Sequence, residues 1–442
     1  MRKTFLIITT NLIFALVSVA IAENIDISGE LTLDQCINIA LEQSSNIKQA
    51  EFRLRSIGLD LDDARANFLP SVDIGGQYEY SRAGIEAPGR DPGQYSLQVS
   101  ANYTIWDHNR RRTQLAQTKA SVKATRADYD KSVQDLIYNI TQAYYSILQA
   151  EKLVGVDEKL LEISKTSLEK VKAFQEQGKA IPADLSSARV QQASAELTLI
   201  NAQNNLDLAR SDLASMMGLD PGTPIIVLDD PDYKMYTEAT LVTGEISLEN
   251  SIAAAIESRP ELRRLKSSLD SQELSLKQAQ LNRWPMLASE AGYNISLDDY
   301  IRDGGSLKKY RNWSVLGRIS FPIFDGGTSK RNAEKAEIAL EQMKESISEQ
   351  ERSIILDVQQ AYLNFGRAKK NLDIARAQVK DSEDSLNVIQ GRYELNMAIF
   401  LEVLSAQAQY AQSLTNQVRA FYDYKIADKS LLRAMGTLKV GD

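Results

Sequence analysis

Hydrophobic and polar positions along this 442-residue chain change period three times, and the whole series of changes occurs twice. Apolar residues first recur at helical spacing in two stretches, about 31–44 and 46–68, and Pro70 stops the second. Strict alternation follows. Val72, Ile74, Tyr78 and Tyr80 alternate with Asp73, Gln77 and Glu79, and Tyr95, Leu97, Val99, Ala101, Tyr103 and Ile105 with polar neighbours. Period two predicts strands, and runs of about 10 residues match a tilted strand crossing a bilayer. A soluble hairpin with one wet face gives the same alternation. Very long helices come third. Ile354, Val358, Ala361, Phe365, Ala368, Leu372, Ala375, Val379, Ser382, Leu386, Ile389 and Tyr393 step by four and three throughout, which is a coiled-coil seam.

Leu33 and Leu248 stand 215 residues apart, as do Pro70 and Pro285. Asp107 and Asp325, Tyr144 and Tyr362, and Gly218 and Gly436 stand 218 apart. The second copy therefore carries three extra residues between Pro285 and Phe324, where a hairpin loop tolerates them. Its helices are expected at 248–258 and 261–283. Leu287, Ala291, Tyr293 and Ile295 and then Trp313, Val315, Ile319 and Phe321 give its strands. Loops rich in Gly, Pro and charge, 82–94 and 298–311, join each strand pair. The seam of copy two reappears in copy one from Leu136 to Gln175, weakened at Asp157 and Gln175. A helix over 109–176 would be roughly 100 Å long. Shorter helices return over 183–217 and 401–435. Residues 46–68 stacked end to end on 183–217 would make a second rod of about the same length.

The expected organisation is a first repeat at 23–218, with a β-hairpin at about 71–106 and a helical hairpin at about 109–217. An irregular connector rich in Asp and Pro fills 219–247. A second repeat at 248–442 has its β-hairpin at about 286–324 and its helical hairpin at about 326–435. Residues 1–22 read as a cleaved secretory signal: Arg2 and Lys3, an apolar run from Phe5 to Ile21, and the small residues Ala20 and Ala22. Removing Arg2 and Lys3 takes the formal charge from −8 to −10, and an acidic chain is a poor nucleic-acid binder. Cys36 is the single cysteine and His108 the single histidine, so neither a disulfide nor a histidine metal site arises within one chain. No nucleophile–base pair appears, and no catalysis, cofactor or metal is expected.

Four strands cannot close a barrel, and open strand edges are not tolerated in lipid. Several chains must pool their strands, and the helices pooled with them enclose a tube on the same axis. The order helix pair, Leu69-Pro70, hairpin, Trp106-Asp107, long helix, turn, helix, Met217-Gly218, written twice, resembles the TolC-type outer-membrane efflux proteins over about 31–436. Phe321-Pro322-Ile323-Phe324-Asp325-Gly326-Gly327 is similar to one of that family's most specific segments. The resemblance implies a mainly α fold with membrane β-hairpins: an α-barrel tunnel of long coiled-coil hairpins, and a homotrimer whose four strands per chain form a 12-stranded β-barrel. It also implies a passive duct in outer-membrane lipid that extends into the periplasm and works with a periplasmic adaptor and an inner-membrane pump of the RND or ABC type.

Family function would sit at the helical turns. Tyr393 and Asp184 match a tyrosine and an aspartate whose hydrogen bond helps hold the family's periplasmic end closed. The family's gating arginine falls on Ala398 and a neighbouring threonine on Ala183, so part of that latch is missing. The two aspartates ringing the constriction fall on Glu402 and Ser405, which leaves one acidic ring. By resemblance the turn residues Gly178, Ile181, Asn396 and Ile399 meet the adaptor. Gly178 and Asn396 are explained equally well as helix caps, whereas exposed Ile181, Ile399 and Phe400 suggest a partner. Asp73, Glu79, Glu290 and Arg318 are expected in the pore lining. Two other functions fit the pattern. One is the exit duct of a type I protein secretion system, which neighbouring genes would distinguish. The other is a non-conducting periplasmic coiled-coil tether, which would be soluble without detergent.

Overall fold

The computed structural model describes residues 29–80, 93–238, 247–299 and 308–440. The expected signal peptide and most of both hairpin loops lie outside the described residues. The elements are α1 (Leu33–Gln43), α2 (Ser45–Ala66), β1 (Ser71–Tyr80), β2 (Gly93–Trp106), α3 (Arg110–Glu176), α4 (Pro182–Met216), α5 (Pro231–Glu238), α6 (Leu248–Ser258), α7 (Pro260–Leu281), β3 (Met286–Asp299), β4 (Lys308–Ser320), α8 (Thr328–Glu394) and α9 (Phe400–Ala434). The three extra residues of copy two fall in its hairpin: β3 has 14 residues where β1 has 10.

The seam read from sequence is the buried face of α8. Nine of its twelve positions are buried, and Val379, Ile389 and Tyr393 are half-buried. In α3 the same register is buried from Leu136 to Ile147 and from Ser164 to Val171, but only half-buried from Ala150 to Leu161. Periodic apolar residues thus place α4 along α3 and α9 along α8, and α9 also packs on α3.

The second rod is joined end to end. Just beyond α4 lies Gly218, whose φ of +80° only glycine adopts at little cost, and a Cβ there would lie 2.9 Å from the Gln43 carbonyl oxygen, at the end of α1 just before α2. Copy two repeats this: Gly436 (φ +72°) abuts the Arg259 backbone before α7. Arg259 secures that joint by donating its Nε to the Ala434 carbonyl at 2.8 Å.

The described part of the connector, 219–238, is more ordered than its Pro-rich sequence suggests. Pro231 is a favourable first helical residue and opens α5, while Leu31 bridges Val227 in parallel. α5 supplies Tyr233, stacked on Tyr422 at 5.8 Å, and Tyr236, whose hydroxyl donates to the Leu372 carbonyl at 2.7 Å. Lys425 pairs with Asp230 and Asp232 beside them. Burial opposes its charge, but the Asp232 hydrogen bond and the two carboxylates outweigh burial and hold its pKa up. This belt joins Ile37, Ile140, Ile147, Leu148, Leu213 and Phe421 into the largest apolar cluster among the described residues.

Each strand-to-helix turn needs two successive left-handed residues. In copy two these are Gly326 and Gly327, and in copy one His108 (φ 53°) and Asn109 (φ 66°). A left-handed non-glycine costs about 1–2 kcal/mol. Contacts offset it here: the His108 ring stacks on Trp284 at 4.3 Å and meets the edge of Trp106. Arg110 then donates to the Leu281 and Trp284 carbonyls, tying the start of α3 to the end of α7. The single histidine is thus a packing residue at the junction of sheet and rods.

Candidate functional site: the membrane sheet and the helical tips

At one end of the rods the strands form a single antiparallel sheet in the order β1-β2-β3-β4. Its register sorts the sequence alternation into two faces. Val72, Ala101, Ala291 and Val315 form one row, and Ile74, Val99, Tyr293 and Trp313 the next. The opposite face carries Asp73, Ser100, Gly292 and Ser314, then Gly75, Gln98, Asn294 and Asn312. All ten residues of β1 are exposed, as are Trp313, Ile319, Ile323 and Phe324 on and beyond β4. The apolar face and both outer edges are therefore uncovered within one chain. Glu290 and Arg318 are diagonal neighbours on β3 and β4, their charged ends 4.0 Å apart.

At the far end each rod turns through the same backbone motif. Lys179 N–H donates to the Phe174 carbonyl and Gly178 N–H to Gln175, with Gly178 left-handed (φ +70°). Met397 and Asn396 (φ 58°) repeat this on Arg392 and Tyr393. This paired closure is a Schellman cap. Ile181 and Ile399 precede the returning helices, and both are exposed, at 62 % and 61 %. Leu395, Met397 and Leu401 are exposed beside Ile399.

Phe400 corrects the sequence expectation. It is only 3 % exposed and packs with Leu168, Val171, Ala188 and Val403, with Tyr393 against the cluster. As the first residue of α9 it faces the copy-one rod, and the apolar tip is left to its neighbours Ile399 and Leu401.

Asp184 and Glu402 occupy equivalent third positions in α4 and α9. The Asp184 carboxylate accepts the Ile181 N–H at 3.3 Å, so it caps its own helix. Tyr393 is close enough for burial and the Asp184 charge to raise its pKa, but its buried hydroxyl makes no hydrogen bond among the described residues. The structure brings these two residues together without joining them. Glu402 and Ser405 lie on one exposed face of α9 beside Ile399, Leu401 and Gln409.

Two polar links between the copies are absent from the sequence expectation. Lys170 on α3 pairs with Glu394 on α8 at 2.6 Å. Deeper in the rod, Lys159 donates to the Tyr410 hydroxyl at 2.7 Å, and that hydroxyl donates to Glu383 at 3.1 Å. Lys159 and Tyr410 are 251 residues apart, so no local pattern signals their contact. Among the described residues no group of acidic, His and Cys side chains is arranged to hold a metal, and no helix is long and apolar enough to cross a membrane. Burial pushes the Cys36 thiol up to about 12, an inert packing group.

The profile of the family described as "Outer membrane efflux protein" matches residues 36–219 and 251–437, one block per repeat. Outer membrane protein TolC of Escherichia coli K12 is 23 % identical over 433 residues, covering 95 % of this chain and 86 % of that protein. The fold matches the CusC channel with a TM-score of 0.78 at 17 % identity, over 91 % of this chain and 92 % of that one. It matches the open state of the Neisseria gonorrhoeae MtrE outer membrane channel at 0.74 and 18 %, over 92 % and 91 %. The chain belongs to the outer membrane efflux protein family and is a protein of the outer membrane.

Proposed function

We propose that three copies of this chain form a passive duct from the periplasm to the exterior, with a 12-stranded barrel in the outer membrane above a helical tunnel. The observation that carries this reading is the four-stranded sheet with an apolar face and two open edges. In lipid those edges must find partners, and β4 of one copy beside β1 of the next supplies them. The rods give independent support. Phe52 and Leu59 on α2 and Val190, Leu197 and Leu208 on α4 are exposed, as are Leu356, Leu363, Ile374 and Val388 on α8. These stripes lie on helices at opposite ends of the packing order, the arrangement of a head-to-tail ring contact.

In this reading the tips are the closing end. Glu402 supplies an acidic ring with Ser405 beside it. Asp184 and Tyr393 belong to the gate, and Gly178, Ile181, Asn396 and Ile399 form the surface for a periplasmic adaptor that couples the duct to an inner-membrane pump. In this reading the duct is passive and energy comes from the pump.

The test is electrical. Detergent-purified protein added to planar bilayers should give discrete conducting steps, and its particle mass should correspond to three chains. Protein that stays soluble without detergent and never conducts, even with the tips loosened by substitution, would sink the duct and favour a tether.

A further inference from the structure

Asp157 is the charged residue in the copy-one seam, where copy two has buried Ala375. It opens onto a cavity of about 290 Å³ between α3, α4 and α9. Gln407 on α9 lines the same cavity. It is 4 % exposed, and its amide nitrogen is buried with no hydrogen-bond partner. Ser194 and Thr198 on α4 add hydroxyls, Leu160 and Ile163 add apolar wall, and no Lys or Arg lines the space. Burial raises the Asp157 pKa, and no cation nearby offsets it.

We infer that this cavity binds a small organic ammonium ion that also carries a hydroxyl or carbonyl oxygen. The uncompensated carboxylate takes the ammonium N–H groups, a charge-assisted contact. The unpartnered Gln407 N–H requires an acceptor, which a bare metal ion lacks and an oxygen on the ligand provides. The hydroxyls take further donors, and the aliphatic wall covers carbon. At about 30 Å³ per water, the space equals roughly ten waters, room for a ligand of about a dozen non-hydrogen atoms. Alanine replaces the carboxylate in copy two, so each chain carries one such site. The inference rests on the packing of one chain and not on the duct reading.

Glucosamine is a probe of suitable size, and glucose, with a hydroxyl in place of the ammonium, is its uncharged counterpart of the same size. Both are offered at neutral pH to the full-length protein in detergent, with binding read by saturation-transfer NMR and thermal shift. Glucosamine should bind and glucose should not. Asp157→Asn should weaken binding at least ten-fold and Gln407→Leu several-fold. Asp157→Ala, which installs the copy-two residue in the seam, serves as a second variant whose folding the other half of the molecule exemplifies. The inference falls if glucosamine gives no signal, if both sugars bind alike, or if both Asp157 variants bind as well as the parent. A neighbouring subunit filling the cavity would give the first of these outcomes. Conductance measured on the same samples tests the duct separately.

Discussion

The two long rods have the same length and backbone, yet they are stabilised differently. α8 carries a seam buried at nine of its twelve positions, with Val379, Ile389 and Tyr393 half-buried, and α9 packs along it. α3 is firmly buried only near the α5 belt and near the tip, with a polar, half-exposed stretch between. Copy two is thus a plain coiled coil, while copy one is anchored at two places and open in the middle. Duplication kept the path of the chain and let the side chains of one copy diverge.

The contrast is sharpest at the tips, where the largest effect is expected. Phe400→Ala empties the buried tip cluster and should cost about 3–5 kcal/mol. It should lower the thermal midpoint and raise conductance. Pro182→Ala at the equivalent copy-one position should leave conductance within error, and equal effects from the two would erase the asymmetry. The rod joints test what the copies share. Gly218→Ala and Gly436→Ala each force a left-handed alanine against backbone, and each should cost about 2–3 kcal/mol in denaturant titrations.

Asp184 and Glu402 come next. Asp184→Ala removes a helix cap worth about 1 kcal/mol and should raise conductance. Glu402→Gln should leave stability unchanged but lower cation selectivity and block by multivalent cations, since Glu402 makes no cap. Unchanged reversal potentials would remove Glu402 from the constriction.

Asp157→Ala should stabilise the rod slightly at neutral pH, because a partly desolvated carboxylate is lost, an effect that solvent at this half-exposed site reduces. The sign follows from the pKa. Burial raises the folded-state value, so the folded protein binds the proton more tightly than the unfolded chain. The penalty is present above the folded pKa and fades as pH falls towards about 4, the ordinary Asp value. Thermal scans of parent and variant should therefore converge on acidification. The smallest effect is expected for Tyr393→Phe, within about 0.5 kcal/mol, because the hydroxyl has no partner among the described residues. A large rise in conductance would show that the hydroxyl is bound across subunits.

Much of this fold was legible because it is periodic. A 3.5-residue repeat sustained over eleven steps and alternation over strands of ten or more residues each leave one buried face, and the register of the repeats confirmed both. What escaped reading was aperiodic. α5 has eight residues inside a Pro-rich connector, and its tyrosines find partners nearly 200 residues away. Phe400 sits in the apolar run Ile399-Phe400-Leu401, and no spacing tells which of three adjacent residues turns inward. Asp184 and Tyr393 lie near enough to interact electrostatically without a hydrogen bond, because hydrogen-bond geometry is set by side-chain rotamers that a register does not specify. Lys159, Tyr410 and Glu383 look like ordinary surface and seam residues until three helices meet.

The rods also have a mechanical reading. Beside each unbroken 67-residue helix lies one made of two pieces, spliced where Gly218 meets Gln43 and where Gly436 meets Arg259. A splinted splice carries bending load in the splint, while the joint itself is held by backbone contact and, in copy two, by the Arg259 bond to Ala434. The spliced rod is the member of each pair whose helical hydrogen-bond ladder is interrupted, and the two glycines mark where. Stiffness along the molecule rests on the 67-residue helices, and a substitution that opens a joint should be felt there before it reaches the sheet or the tips.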